Sequence, residues 1–187
     1  MLRGWVDGDV AVLDAAGLDL SLVDLSRADL ADGLLTEAIF RGARLAGADL
    51  YRAHLEGAVL DGADLSGASL VKAVLDGASL RGAVLDGADL GSADVYSVDA
   101  RGASFVRAVL DSASLDDVDL RGADLSDASV SHTFLQVVLD DRTVVRGLSG
   151  AIFGPAVVME ADERRQLAGG ELEAWLNHRG AKVRVLP

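Results

Sequence analysis

Leucine, or a close apolar substitute, stands at nearly every fifth residue of this chain: Leu20, Leu25, Leu30, Leu35, Phe40, Leu45 and Leu50, continuing to Leu120, Leu125, Val130 and Leu135. Two residues before each sits something small, usually alanine, as at Ala28, Ala38, Ala43, Ala48, Ala123 and Ala128. From Leu18 to Leu135 the beat runs for 24 repeats without an insertion. A period of five fits neither the ~3.6 of an α-helix nor the ~2 of a plain strand. The chain must therefore repeat a short unit that contains its own turn.

In an extended segment side chains alternate faces. The leucine at the centre of each repeat and the small residue two before it point one way, and the residue between them points the other. The remaining two residues turn the chain. The second is often glycine, as at Gly42, Gly57, Gly62, Gly77, Gly87 and Gly102, which supplies the positive φ of a tight turn. Four such units close a square of twenty residues. Stacked at the strand spacing of ~4.8 Å, the squares build a narrow solenoid filled by ladders of Leu and Ala.

This pattern resembles the pentapeptide-repeat family, whose motif is A(D/N)LXX. Ala28-Asp29-Leu30, Ala48-Asp49-Leu50, Ala63-Asp64-Leu65, Ala88-Asp89-Leu90 and Ala123-Asp124-Leu125 match it letter for letter. The resemblance implies an all-β solenoid, a right-handed quadrilateral β-helix. Residues 1–150 are expected to form it, with the regular repeats at 18–135.

The beat fails at Asp140, so residues 136–150 are expected to finish an irregular coil and 151–159, with Gly154 and Pro155, to connect it to a helix. Glu160, Asp162 and Glu163 suit a helix start, and Gly180 beyond His178 and Arg179 suits its stop. The Gly169-Gly170 pair would then fall mid-helix, so two short helices remain an alternative to one. Lys182 to Leu186 alternates like a strand. Residues 151–187 are thus expected to be a small C-terminal element of helix and strand. Leu172, Trp175 and Leu176 fall on one helix face, which either pairs two copies or caps the open end of the solenoid.

Composition narrows the function. The 187 residues include no cysteine, which removes disulfides and thiolate chemistry, and carry a net charge of −13, which argues against direct binding of nucleic acid. No stretch is long enough to span a bilayer, and the start lacks a secretory leader; a cytoplasmic protein is expected. His54, His132 and His178 are scattered, and no catalytic triple, metal spacing or nucleotide fingerprint stands out. The expectation is a non-enzymatic protein without cofactors.

Twelve aspartates, among them Asp9, Asp29, Asp49 and Asp89, occupy the outward middle place of the repeat; without them 18 acids face 17 bases. Two compatible roles follow. The carboxylates bond the local backbone, or they form an acidic surface. Asp9, Asp29, Asp49 and Asp89 share one wall, and Arg41, Asp61, Arg81, Arg101 and Arg121 share a line elsewhere, where pairing with Asp99 and Asp119 or docking of an acidic partner would occupy them.

The quinolone-resistance members of the family are dimeric rods that resemble duplex DNA and bind gyrase or topoisomerase IV. The resemblance implies a homodimer that presents Asp9, Asp29, Asp49 and Asp89 to a type II topoisomerase and protects it from a drug or toxin. A generic interaction scaffold with no topoisomerase role is the alternative. The arginine line and the strand after the helix depart from those relatives.

Overall fold

The computed structural model describes residues 12–160 and 163–187. The chain winds into a square solenoid. Most sides contribute one residue of parallel ladder, always twenty positions apart: Asp14 beside Leu34, Asp19 beside Ile39, Asp24 beside Arg44, Asp29 beside Asp49. Wall one thus carries Asp14, Leu34 and His54; wall two Asp19, Ile39 and Val59; wall three Asp24, Arg44 and Asp64; wall four Asp29, Asp49 and Ser69. The ladder is continuous because each middle residue both gives and accepts. Leu35 N–H donates to His54 O at 2.8 Å, and His54 N–H donates to Gly33 O at 2.9 Å.

The five-residue beat translates directly into burial. Leu55, Leu60, Leu65, Leu70 and Leu75 and the intervening Ala58, Ala63, Ala68 and Ala73 are at most 1% exposed. Alanine fits because the square is too narrow for two large side chains per side. At each corner a β-turn closes, as where Ala58 N–H donates to Leu55 O at 3.0 Å around Glu56-Gly57. The second corner residue is left-handed, with φ +67° at Gly57 and +64° at Gly62. Among the described residues thirteen non-glycines hold the same conformation, Leu22, Lys72 and His132 included; tertiary pairing of the coils imposes it against their preference.

Toward the C-terminus the sides lengthen into strands: β1 (Asp94–Tyr96), β2 (Ser114–Asp119), β3 (Thr133–Asp140), β4 (Ser149–Phe153), β5 (Pro155–Glu160) and β6 (Glu163–Ala168). Helix α1 (Gly169–His178) and strand β7 (Lys182–Leu186) follow. The beat does not end at Asp140; it slips. Asp116 pairs with Gln136 but Val118 with Val137, so Asp117 bulges and the next centre is Leu139. Leu139 is 2% exposed. A turn closed by Thr143 N–H on Asp140 O at 3.2 Å restores the lost residue, and Val144 again lies beside Asp124, twenty positions on.

Residues 151–159, expected as a connector, are strands. β4 pairs with β3 and β5 stacks on β3 at Val138–Val157, so the ladder crosses the boundary expected after residue 150. The helix start expected at Glu160–Glu163 is also corrected: Glu160 ends β5, Glu163 opens β6, and the two strands pair antiparallel. Ladder pairing and the inward Ala156 and Val158 outweigh the acidic helix-start signal there. Asp162 lies outside the described residues. Gly169 and Gly170 become the first turn of α1, where they cost less than in mid-helix. The stop is as expected, with Gly180 at φ +89° and its N–H on Asn177 O at 3.1 Å. β7 then pairs parallel with β4. α1 lies over the end of the solenoid, packed on β7, β6 and β5.

Candidate interaction surface

Among the described residues, two kinds of bonding recur at the aspartates. Ten middle aspartates, Asp29, Asp49 and Asp89 included, accept with Oδ1 from the N–H two residues on, at 2.9 Å for Tyr51 and 2.8 Å for Gly91. Each closes an Asx turn that fixes its corner. Asp86 and Asp111, on corners, instead reach the next coil: Asp111 Oδ1 accepts from Ser131 N–H at 2.8 Å and from Ser129 Oγ, and Asp86 takes Ser104 and Val106 in the same way. Both kinds use Oδ1 to fix the fold, and in Asp99 and Asp119 the second oxygen is taken up as well, by arginine. The hydroxyl and N–H of Ser21 and Ser26 hold Asp19 and Asp24 below the usual carboxylate range.

Asp29, Asp49 and Asp89 lie exposed in one column of wall four, with Ser69 between the last two. None of the three forms an ion pair among the described residues. Asp9 lies outside the described residues.

A second acidic line runs along the corner between walls one and two. It carries Glu37, Glu56, Asp76, Asp116 and Asp117, and its described positions hold no Lys or Arg. Only the middle place of the repeat signals acidity when the sequence is taken five residues at a time. Spacing the corner residues by twenty is what exposes this line. Partial burial pushes Glu56 up, but His54 Nδ1 at 3.0 Å and Thr36 bring it net below its ordinary value.

The corner between walls two and three is opposite in character. Arg41, Arg81, Arg101, Arg121 and Arg142 occupy it, with Asp61 interrupting. Arg101 Nη2 lies 2.7 Å from Asp99 Oδ2, Arg81 Nε 2.5 Å from the same oxygen, and Arg142 Nη2 2.8 Å from Asp140. The pairing of Asp99 and Asp119 with this line is therefore present. Arg142 escapes a strict count of twenty because of the slip at Asp117. A groove of about 370 Å³ runs between Arg101, Arg121 and Arg142 over Gly102 and Gly122.

Leu172, Trp175 and Leu176 are buried within the single chain, at 0, 9 and 1% exposure. Trp175 Nε1 donates to Glu160 at 2.8 Å, and the Arg179 guanidinium sits 3.7 Å over the Trp175 ring while also reaching Glu160 at 3.1 Å. Within the chain the three side chains pack where α1 meets β5, β6 and β7. Among the described residues no group of three or more His, Cys, Asp or Glu is disposed to hold a metal ion.

A square parallel ladder of five-residue units with Ala and Leu inside and Asp outside defines a pentapeptide-repeat β-helix. The family model "Pentapeptide repeats (8 copies)" matches residues 19–57, 58–95 and 88–127, and the chain belongs to that family. Among solved structures it is similar to the pentapeptide repeat protein Rfr23 of the cyanobacterium Cyanothece 51142, at 22% identity over 76% of this chain and 94% of that one, with a TM-score of 0.51. A pentapeptide repeat protein from the Arabidopsis thaliana thylakoid lumen is 30% identical over 65% of this chain and 70% of its own, with a TM-score of 0.48. QnrB1, a plasmid-mediated fluoroquinolone resistance protein, is 15% identical over 76% of this chain and 80% of its own, with a TM-score of 0.46. No curated protein matches the chain.

Proposed function

We propose that this chain is a binding rod rather than an enzyme, and that its acidic wall engages a DNA-binding protein in place of duplex phosphates. The partner is a type II topoisomerase in the cytoplasm, and the consequence is protection from a gyrase-directed drug or toxin. One observation carries the reading: Asp29, Asp49 and Asp89 form an exposed column that has no cationic partner among the described residues, each held in place by a backbone N–H. Carboxylates fixed in this way bind a basic groove with little ordering cost. With a net charge of −13 the rod also attracts a phosphate-binding surface from a distance.

The test is a gyrase supercoiling and fluoroquinolone-cleavage assay with wild-type protein and with Asp29→Asn/Asp49→Asn/Asp89→Asn. Asparagine keeps the Oδ1 acceptor of each Asx turn and removes only the charge. Protection by the wild type and its loss in the triple variant, with unchanged melting, supports the proposal. No effect of the wild type at ~10 μM, where a functional contact would be populated, sinks it.

The second reading, a generic interaction scaffold, draws on the ten Asx turns, which give these aspartates a structural role of their own. Under it the triple variant binds its partner as well as the wild type does.

A further inference from the structure

Wall two separates the two oppositely charged corners, and this arrangement is self-complementary. We propose that two copies of the chain pair side by side through wall two, rods parallel, related by a two-fold axis that runs along the wall. Such an axis leaves height along the rod unchanged and exchanges left for right. The acidic corner of each rod then meets the arginine corner of the other at the same level.

The levels match. Glu37 faces Arg41 of the second copy, Asp76 faces Arg81, and Asp116 with Asp117 faces Arg121. Tyr96, 53% exposed, faces Arg101, a cation over an aromatic ring. Glu56 meets Asp61 at the one mismatched level, where both carboxylates already hold protein donors. Every match occurs twice by symmetry. Because both rods have the same rise per coil, a match at one level carries to the next. The alternative axis, perpendicular to the rods, would set acid on acid and arginine on arginine.

The wall between the corners suits a contact. Ile39, Val59, Val138 and Val157 are half-buried on it, and a hollow of about 300 Å³ lies between Ser97, Asp117, Asp119 and Val138. Asp99 and Asp119 approach their own copies near the axis, but Arg101 and Arg121 bind them, so these meet as neutral pairs; Asp19, at the N-terminal end of the wall, also meets its own copy, with the charge of Arg41 nearby. The guanidiniums are also pre-oriented by those aspartates, which lowers the cost of engaging a second anion. Wall four, opposite wall two, stays outward on both rods. Pairing therefore does not depend on the partner proposed above.

Sedimentation equilibrium of the full chain tests the pairing. A wild-type dimer is expected whose dissociation constant rises at least about tenfold between low salt and ~0.5 M salt. Arg81→Glu/Arg121→Glu and Asp76→Arg/Asp116→Arg should each be monomeric with retained β-structure, and an equimolar mixture of the two should recover the dimer. The chain has no cysteine, so Val59→Cys on wall two should form an intermolecular disulfide with itself while Val109→Cys on wall four does not. A wild-type monomer at ~100 μM, failure of the mixture to recover a dimer, or equal crosslinking of the two cysteine variants would overturn the proposal.

Discussion

Arg101 grips Asp99 at two points, with Nε 2.8 Å from Oδ1 and Nη2 2.7 Å from Oδ2. The Arg101 hydrogen bonds, with Arg81 adding to them against partial burial, hold the Asp99 carboxyl well below its ordinary value. The unfolded chain titrates Asp near ~3.9. The folded value is lower, so this pair's contribution is complete above about pH 4 and fades as pH falls below it. Asp99→Asn is expected to cost under about 1 kcal/mol at pH 7, since the pair is partly exposed. Urea midpoints between pH 7 and pH 3 should fall less steeply in the variant than in the wild type.

Leu75 is fully enclosed by the coils above and below it. Leu75→Ala should cost ~2–5 kcal/mol, because neighbouring rungs tied by backbone hydrogen bonds cannot collapse into the space. Urea unfolding with an unchanged m-value checks this. A loss under ~2 kcal/mol, less than the transfer term that remains even when the cavity collapses fully, would mean that Leu75 is less enclosed than its burial indicates.

Leu176 is 1% exposed on the inner face of α1, one turn after Leu172. Leu176→Asp buries a charge without a partner and should unfold the α1–β7 end, at a cost of at least ~3 kcal/mol. Limited proteolysis should then cut after β5 while the coils N-terminal to it survive. A variant that folds normally, with only its self-association changed, would contradict the cap.

Thr143 Oγ1 lies 3.1 Å from Leu120 O, 3.0 Å from Asp140 N and 2.9 Å from Asp140 Oδ1, all buried. Thr143→Val keeps the shape and strands these groups, at a cost of ~1–3 kcal/mol. Thr143→Ser should recover most of it. Equal stability of the Val and Ser variants would remove the hydroxyl from the account.

The regular coils were legible because one rule sets three things at once: Ala and Leu give the core, glycine gives the corner, and position modulo twenty gives the wall. The column of Asp29, Asp49 and Asp89 follows from that rule alone. The C-terminal end was not legible, since Glu160 and Glu163 satisfy a helix start locally and a strand only through partners at β3 and β5. Asp117 likewise carries no local sign of a bulge; its pairing partner, twenty residues away, is what lacks a residue. The acidic corner was missed because its members stand at a repeat place that elsewhere holds Arg, Ser or Val.

The slip between Asp117 and Thr143 has a consequence for how such a chain can vary. In a square coil, losing one residue turns everything downstream out of phase by a fifth of a side, as a frameshift scrambles a message. Here the six-residue step from Leu139 to Val145 acts as the suppressor, returning Ser149 to the column begun by Asp29. Length changes can therefore enter this solenoid only as compensated pairs. Between the two members of such a pair the walls carry a private text, and outside it the original reading is intact.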